Sequence, residues 1–271
     1  MESLSITLIQ TELYWENPSE NIRMLDEKIR SVSKTQIVVL PEMFSTGFSM
    51  KPHVVAERMD GPCMNWMKKI SADKKIILTG SLAIEENGKY YNRMIWMMPD
   101  GNYGFYDKRH LFAYSGEDKV FTPGTKRFIT SVNGWRILLQ VCYDLRFPVW
   151  GRQQTRTGSE SINVNKSSHE YDAIIYVANW PQVRSHPWKI LLAARAMENQ
   201  CYVIGVNRTG KDGNDIMYSG DSMIIDPSGE ILQHKTGSEE IFTTVLSRDV
   251  LNEFRNKYPF INDADAFTLL V

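Results

Sequence analysis

The chain has 271 residues, 42% of them hydrophobic and 23% charged, with a net charge of −1. That is ample length for a buried core, and it lacks the basic excess a nucleic-acid partner would demand. No apolar stretch approaches the roughly 20 residues that span a bilayer, and the opening MESLSITLIQ has no basic segment followed by an apolar one, so neither a membrane partner nor a secretion signal is expected.

LSITLIQT (4–11) alternates and is rich in β-formers, so it reads as a strand. In the NPSENIRMLDEKIRSV that follows, Ile22, Leu25, Ile29 and Val32 share one helical face, and Asn17 or Ser19 caps the start. QIVVLPE (36–42) is a short apolar run of the kind buried on both faces of a sheet. Strand, helix, buried strand opens an α/β fold. A second helix is expected over 61–75. Three β segments then fill 75–108, divided at Asn87-Gly88 and at the PDGN of 99–102, both hairpin signals. KRFITSVNGWRILLQVCYD has the same form, with its turn at Asn133-Gly134. YDAIIYVANW (171–180) reads as a buried strand, 185–200 as a helix, 201–208 as a strand, and 219–247 as three strands joined by turns. NRMIWMMPDGNYGFYD and DSMIIDPSGEILQH share one strand–turn–strand layout, which points to two similar halves. The polar stretch 155–171 reads as a surface insertion and not a linker, so one domain spanning 1–271 is expected.

Cys63, Cys142 and Cys201 are far apart, with no CxxC pair. The five histidines are scattered, with no HExxH, and there is no P-loop or GxGxxG. Neither a disulfide framework nor a metal, nucleotide or other cofactor is expected, and reduced thiols in a cytoplasm fit best. Cys142 ends the apolar run of LLQVCYDLRFP. A thiol is mostly protonated at neutral pH, so as a nucleophile it needs a base or a positive field. His110 and His186 carry no recognisable signature for that task. Glu42, in VVLPEMFSTGF, stands at the C-terminal end of a buried strand, where α/β sites are built, and part-desolvation suits a carboxyl there to be a general base. Lys108 ends a segment containing Tyr103, Phe105 and Tyr106 and is placed to be a fixed cation for a developing oxyanion. Singly, these three also read as a buried thiol, a loop carboxylate and a surface lysine. Together, a Glu, a Lys and a Cys each close a different β-rich segment.

LPEMFSTGF, YDKRHLF and QVCYDLRFP, in that order, resemble the Glu–Lys–Cys triad of the nitrilase superfamily of carbon–nitrogen hydrolases. GEDKVFTPG (116–124) is similar to the segment carrying that family's second glutamate, here Glu117, and the likeness covers nearly the whole chain. The pairing of PEMFSTGF with CYDLRFPVW and WPQVRSHPW resembles the bacterial omega-amidase branch, which acts on 2-oxoglutaramate. The resemblance implies an α/β fold, a four-layer α-β-β-α sandwich of two pseudo-symmetric halves, that assembles as a homodimer or larger homo-oligomer. It implies Glu42 as base, Cys142 as nucleophile, Lys108 and the Tyr143 N–H as oxyanion donors, and Glu117 beside Lys108. The partner is then a small-molecule amide, a short dicarboxylate with one end amidated. Its free carboxylate calls for an arginine, with Arg146 and Arg184 the candidates, although Arg146 could instead pair with Asp144. Phe44, Tyr114 and Trp180 would wall the pocket or else be core. Cys63 and Cys201 read as structural, and His186 as a helix-start residue. Another carbon–nitrogen hydrolase, a thiol redox protein and a catalytically silent scaffold remain as alternative readings. The insertion at 155–171 departs from the family's shorter spacing and bears on the pocket rim.

Overall fold

Alternation in the first strand sets the architecture. In the computed structural model, which describes residues 3–153 and 169–270, β1 (Leu4–Gln10) sends Leu4, Ile6 and Leu8 into a core between two sheets and Ile9 toward helices. β2 (Ile37–Val39) divides likewise, Ile37 and Val39 inward and Val38 outward. Two helices cover that outer face. α1 (Pro18–Ser31) starts where the Asn17 side chain accepts from Glu20 N, and it buries Leu25 and Ile29. A four-residue turn of helix, α2 (Pro52–Val55), precedes α3 (Pro62–Lys74), which buries Cys63, Met64, Met67 and Ile70.

β3 (Ile77–Glu86), β4 (Lys89–Met97) and β5 (Tyr103–Asp107) form the expected meander. Asn87 and Gly88 both have positive φ, 54° and 72°, as do Asn133 and Gly134 at 47° and 77°. That pair of left-handed residues is what a two-residue hairpin needs, and it is why Asn-Gly marks both turns. α4 (Glu117–Val120) follows, then β6 (Ile129–Val132), β7 (Trp135–Val141), α5 (Pro148–Gly151), β8 (Ala173–Ala178), α6 (Ser185–Asn199) and β9 (Tyr202–Asn207). The chain then runs through β10 (Thr209–Lys211), β11 (Met217–Ile225), β12 (Ile231–Thr236) and β13 (Glu240–Leu246) to α7 (Arg248–Lys257). The expected insertion at 155–171 falls mostly outside the described residues.

The first sheet has the order β13-β1-β2-β3-β4-β5; in the second, β6-β7-β8-β9-β11 continues to β10 and also pairs with β12. In each, three central strands are parallel, β1-β2-β3 and β7-β8-β9, and the flanking pairs are antiparallel. This repeated topology is the pair of similar halves, and the two sheets with helices on their outer faces make the four-layer α-β-β-α sandwich. By strand order β2 corresponds to β8, and β1 to β7. One continuous apolar core joins Ile6 and Trp96 of the first sheet to Leu139 and Val177 of the second.

Candidate functional site

Three strand ends meet at one edge of the sandwich. Glu42 lies just past β2 in a turn pinned by Ser81 of β3, whose hydroxyl accepts from Met43 N at 2.8 Å and whose carbonyl accepts from Phe44 N at 3.1 Å. Glu42 Oε1 accepts from Lys108 Nζ at 2.9 Å and from Asn92 Nδ2 at 2.8 Å, and Oε2 accepts from Asn179 N at 2.8 Å. Lys108 follows β5, and its own N–H is held by Asn92 O at 3.0 Å. Its ammonium also lies 2.8 and 3.0 Å from the two oxygens of Glu117, the first residue of α4. Phe112 N donates to Glu117 Oε2 at 2.6 Å. All three charged side chains are buried.

Burial alone would lower the Lys108 ammonium, but the carboxylates of Glu117 and Glu42 outweigh it and hold its pKa above the ordinary value. Burial pushes Glu117 up despite Lys108, and the second carboxylate, Glu42, pushes it the same way. Two carboxylates thus face one ammonium in a water-poor site.

Cys142 follows β7 and opens a tight helical turn, Cys142–Arg146. Its φ is +45°, a left-handed conformation that a residue with a Cβ rarely adopts, and it turns the thiol out of the strand direction into the site. Sγ lies 4.0 Å from Asn179 O. Burial, and then Glu42 through charge and hydrogen bonding, pushes the thiol well above its ordinary range, with Lys108 opposing. The resting group is a protonated thiol beside a carboxylate, an arrangement that needs a base to release the nucleophile. Tyr143 N–H belongs to the first turn of that short helix, where N–H groups have no intrahelical acceptor and are available to an anion.

Over the thiol is a pocket of ≈ 290 Å³ including its open mouth, lined by Phe48, Phe112, Cys142, Tyr143, Arg146, Trp180 and Arg184. Arg146 is exposed, with its guanidinium 5.0 Å from the Trp180 ring centre. It does not pair with Asp144, whose oxygens are engaged by His110, Tyr106 and Val141 N. Half-buried Arg184 lies 5.3 Å from the Phe112 ring centre. Two of the expected wall residues are elsewhere. Phe44 is fully buried between the first sheet and its helices, against Leu40, Gly80 and Trp66, because the Ser81 anchor turns the chain inward directly after Glu42. Tyr114 is 88% exposed and meets the Phe112 ring from outside, so Phe112 forms the wall in its place. A roomier cleft lined by Arg58, Asp60, Glu85, Glu86 and Tyr103 shares no residue with the Cys142 pocket.

The carbon–nitrogen hydrolase family model matches residues 5–256. The chain belongs to the carbon–nitrogen hydrolase family. The hydrolase is 41% identical over 270 residues to the omega-amidase YafV of Escherichia coli K12, covering 99% of this chain and 100% of that one. It is 31% identical over 263 residues to the 2-oxoglutaramate amidase of Bacillus subtilis, covering 96% of each. Among solved structures it superposes on XC1258 of Xanthomonas campestris, a CN-hydrolase superfamily protein with an arsenic adduct in the active site, at a TM-score of 0.94, 38% identity and full coverage of both chains. Saccharomyces cerevisiae Nit3, at 23% identity and a TM-score of 0.79 over 95% of each chain, shares the nitrilase fold. The hydrolase acts on amides.

In the hydrolase several residues that frame the site have no motif of their own. Asn92 and Asn179 hold the Glu42 carboxylate. Asp144 ties the nucleophile turn to the lysine segment: its carboxylate accepts from Tyr106 OH at 2.8 Å, His110 N at 2.9 Å and Val141 N at 3.0 Å, and lies 2.8 Å from His110 Nδ1. Tyr106 and His110 flank Lys108 in YDKRH, and Asp144 follows Cys142 in CYD, so the motifs contained the brace without revealing that its two parts touch. His110 therefore serves Asp144, not the thiol. Cys63 and Cys201 are buried, and burial pushes both thiols up, as suits structural residues. His186 is the second residue of α6.

Proposed function

We propose that the hydrolase is an omega-amidase, releasing ammonia from a short dicarboxylate monoamide such as 2-oxoglutaramate or succinamate. The observation that carries this reading is the pocket: a small aromatic-walled space over the Cys142 thiol, with two guanidiniums, Arg146 and Arg184, at its rim. An amide group reaches the thiol while a carboxylate at the other end of a short chain meets an arginine.

The chemistry follows from the side chains. Glu42 takes the Cys142 proton, and the thiolate adds to the amide carbonyl carbon. The carbonyl electron pair moves onto oxygen, where Lys108 and the Tyr143 N–H hold the charge; one such donor is worth about 3 kcal/mol of barrier. Glu42 gives its proton to the nitrogen, the C–N bond breaks and ammonia leaves, so a thioester to Cys142 remains. Glu42 then takes a proton from water, hydroxide adds to the thioester, and collapse expels the thiolate, which recovers the proton. The sum is amide plus water giving acid and ammonia.

The test is ammonia release from 2-oxoglutaramate and succinamate, with glutamine, asparagine and a simple nitrile beside them, for the wild type and Cys142→Ala. Release from the two dicarboxylate monoamides, lost in the variant, is the expected outcome. Turnover confined to the nitrile or to the α-amino amides would reject the omega-amidase reading and leave the hydrolase.

A further inference from the structure

Two buried carboxylates with one surplus proton ordinarily share it in a direct hydrogen bond, as paired catalytic acids do. Glu42 and Glu117 are two buried carboxylates held to a single ammonium, at 2.9 and 2.8 Å. Yet the same nitrogen, Asn92 Nδ2, lies 2.8 Å from Glu42 Oε1 and 3.1 Å from Glu117 Oε1. Asn92 is in β4 and 1% exposed, and its backbone carbonyl also accepts from Lys108 N. Its buried Oδ1 has no partner among the described residues. That orphaned oxygen is explained by the other end of the amide: reversed, the group would aim a carbonyl at two carboxylates.

We infer that Asn92 is a positioning residue that keeps Glu42 available to the Cys142 thiol, by giving each carboxylate an N–H and so preventing the two from sharing a proton directly. This rests on Glu42 being the base of the proposed reaction. A donor is needed because a purely apolar residue would leave the two acids face to face. It must be neutral because a second cation would match both carboxylates and draw the thiol into an ion pair. The other ionisable groups facing Glu42 are Lys108 after β5, Glu117 of α4, Cys142 after β7 and Tyr218 of β11. Tyr218 is held neutral by its burial. Asn92 supplies what none of these does, two N–H groups at fixed spacing without charge.

The experiment is the pH dependence of Cys142 alkylation by iodoacetamide, alongside that of kcat/KM, in the whole protein. The variants are Asn92→Asp, which keeps the shape, Asn92→Ala, the pair Asn92→Asp/Glu117→Gln, and Glu42→Gln. Losing the donor removes a hydrogen bond from the charged form of the base, so in both single Asn92 variants the acid limb of each profile should move up by about one pH unit. kcat should fall by about 100-fold with KM little changed. The double variant restores two carboxylates, one amide and one ammonium, and should regain part of the alkylation rate lost in Asn92→Asp. Wild-type profiles in folded Asn92 variants, with Glu42→Gln slow, would overturn the role of Asn92 and leave the base. Wild-type alkylation in Glu42→Gln would remove the base itself, and the inference with it. A double variant no faster than Asn92→Asp would also overturn it, because coupled groups must show an interaction term. If Asn92→Ala does not fold, the isosteric Asn92→Asp and the double variant still decide.

Discussion

At the scale of single residues the site is a matter of charge count. Glu42, Lys108, Glu117 and a neutral thiol leave one excess negative charge in a buried place, and Asn92, Asn179 and Phe112 N spread it over neutral donors. In the proposed reaction the reactive thiolate exists only while Glu42 holds its proton. Cys142→Ser should therefore lose turnover, since an alcohol is far harder to deprotonate. An ammonia assay at wild-type rate in that variant would reject the mechanism. Lys108→Met keeps the length but removes the cation, and should cost about 100-fold in kcat. It also leaves two buried carboxylates unpaired, so its Tm needs measuring beside its rate. Glu42, Lys108 and Cys142 were legible in the sequence because each closes a β-rich segment, and Glu117 through the resemblance of GEDKVFTPG to the family's second-glutamate segment. Asn92 was not, because nothing in YYNRM marks a mid-strand amide as facing two acids that lie 50 and 25 positions away.

At the scale of elements, the sheet delivers the groups and short turns aim them. Parallel strands β2 and β7 end at the same edge of the sandwich, so Glu42 and Cys142 arrive there on rigid supports, while left-handed Met43 and Cys142 bend the chain across it. Asp144 then fastens the nucleophile turn to the lysine segment through three contacts. Asp144→Asn puts an N–H₂ where a carboxylate oxygen accepted, and should destabilise the protein by about 3 kcal/mol, read by denaturant unfolding. A loss under half that would mean the brace is redundant. The Asn-Gly hairpins and the helix cap at Asn17 were legible because they depend on neighbours in sequence. α7 was not. It is short and largely polar, and is held to β8 from a distance: Arg248 and Arg255 each donate to Asp172 at 2.9 Å.

At the scale of the molecule, the site belongs to neither half alone. Glu42 and Lys108 come from the first sheet, Cys142 and Asn179 from the second, and the Glu42–Asn179 contact joins strands β2 and β8, which correspond in the repeat. The opposite end of the second sheet governs acid stability. Burial, then the charge of Arg255, pushes His169 down to about 4, although Asp172 opposes it. Its folded value lies below the unfolded value of about 6.5, so its contribution is intact above that pH and is lost as the pH falls from there through 4. Asp172 is desolvated, but the Arg136 N–H and the guanidiniums of Arg255 and Arg248 win and hold its carboxyl low. Its contribution is present above the unfolded value of about 3.9 and is lost as the pH falls through the folded value below it. Tm should therefore decline in two stages, and His169→Gln should abolish the upper one. A variant with an unchanged upper stage would assign it elsewhere.

Periodicity, hairpin dipeptides and three motifs at strand ends determined by themselves the order of the longer strands and of α1, α3 and α6, the α/β class and the acid, amine and thiol of the site. Each is written in adjacent residues and needs no partner. Only the tertiary structure decided that Phe44 is core, that Tyr114 points to solvent while Phe112 lines the pocket, that Asp144 meets Tyr106 and His110, and that Asn92 bridges two carboxylates. Burial and hydrogen-bond partnership are properties of pairs distant in sequence, and they come into being when the two sheets close on one another.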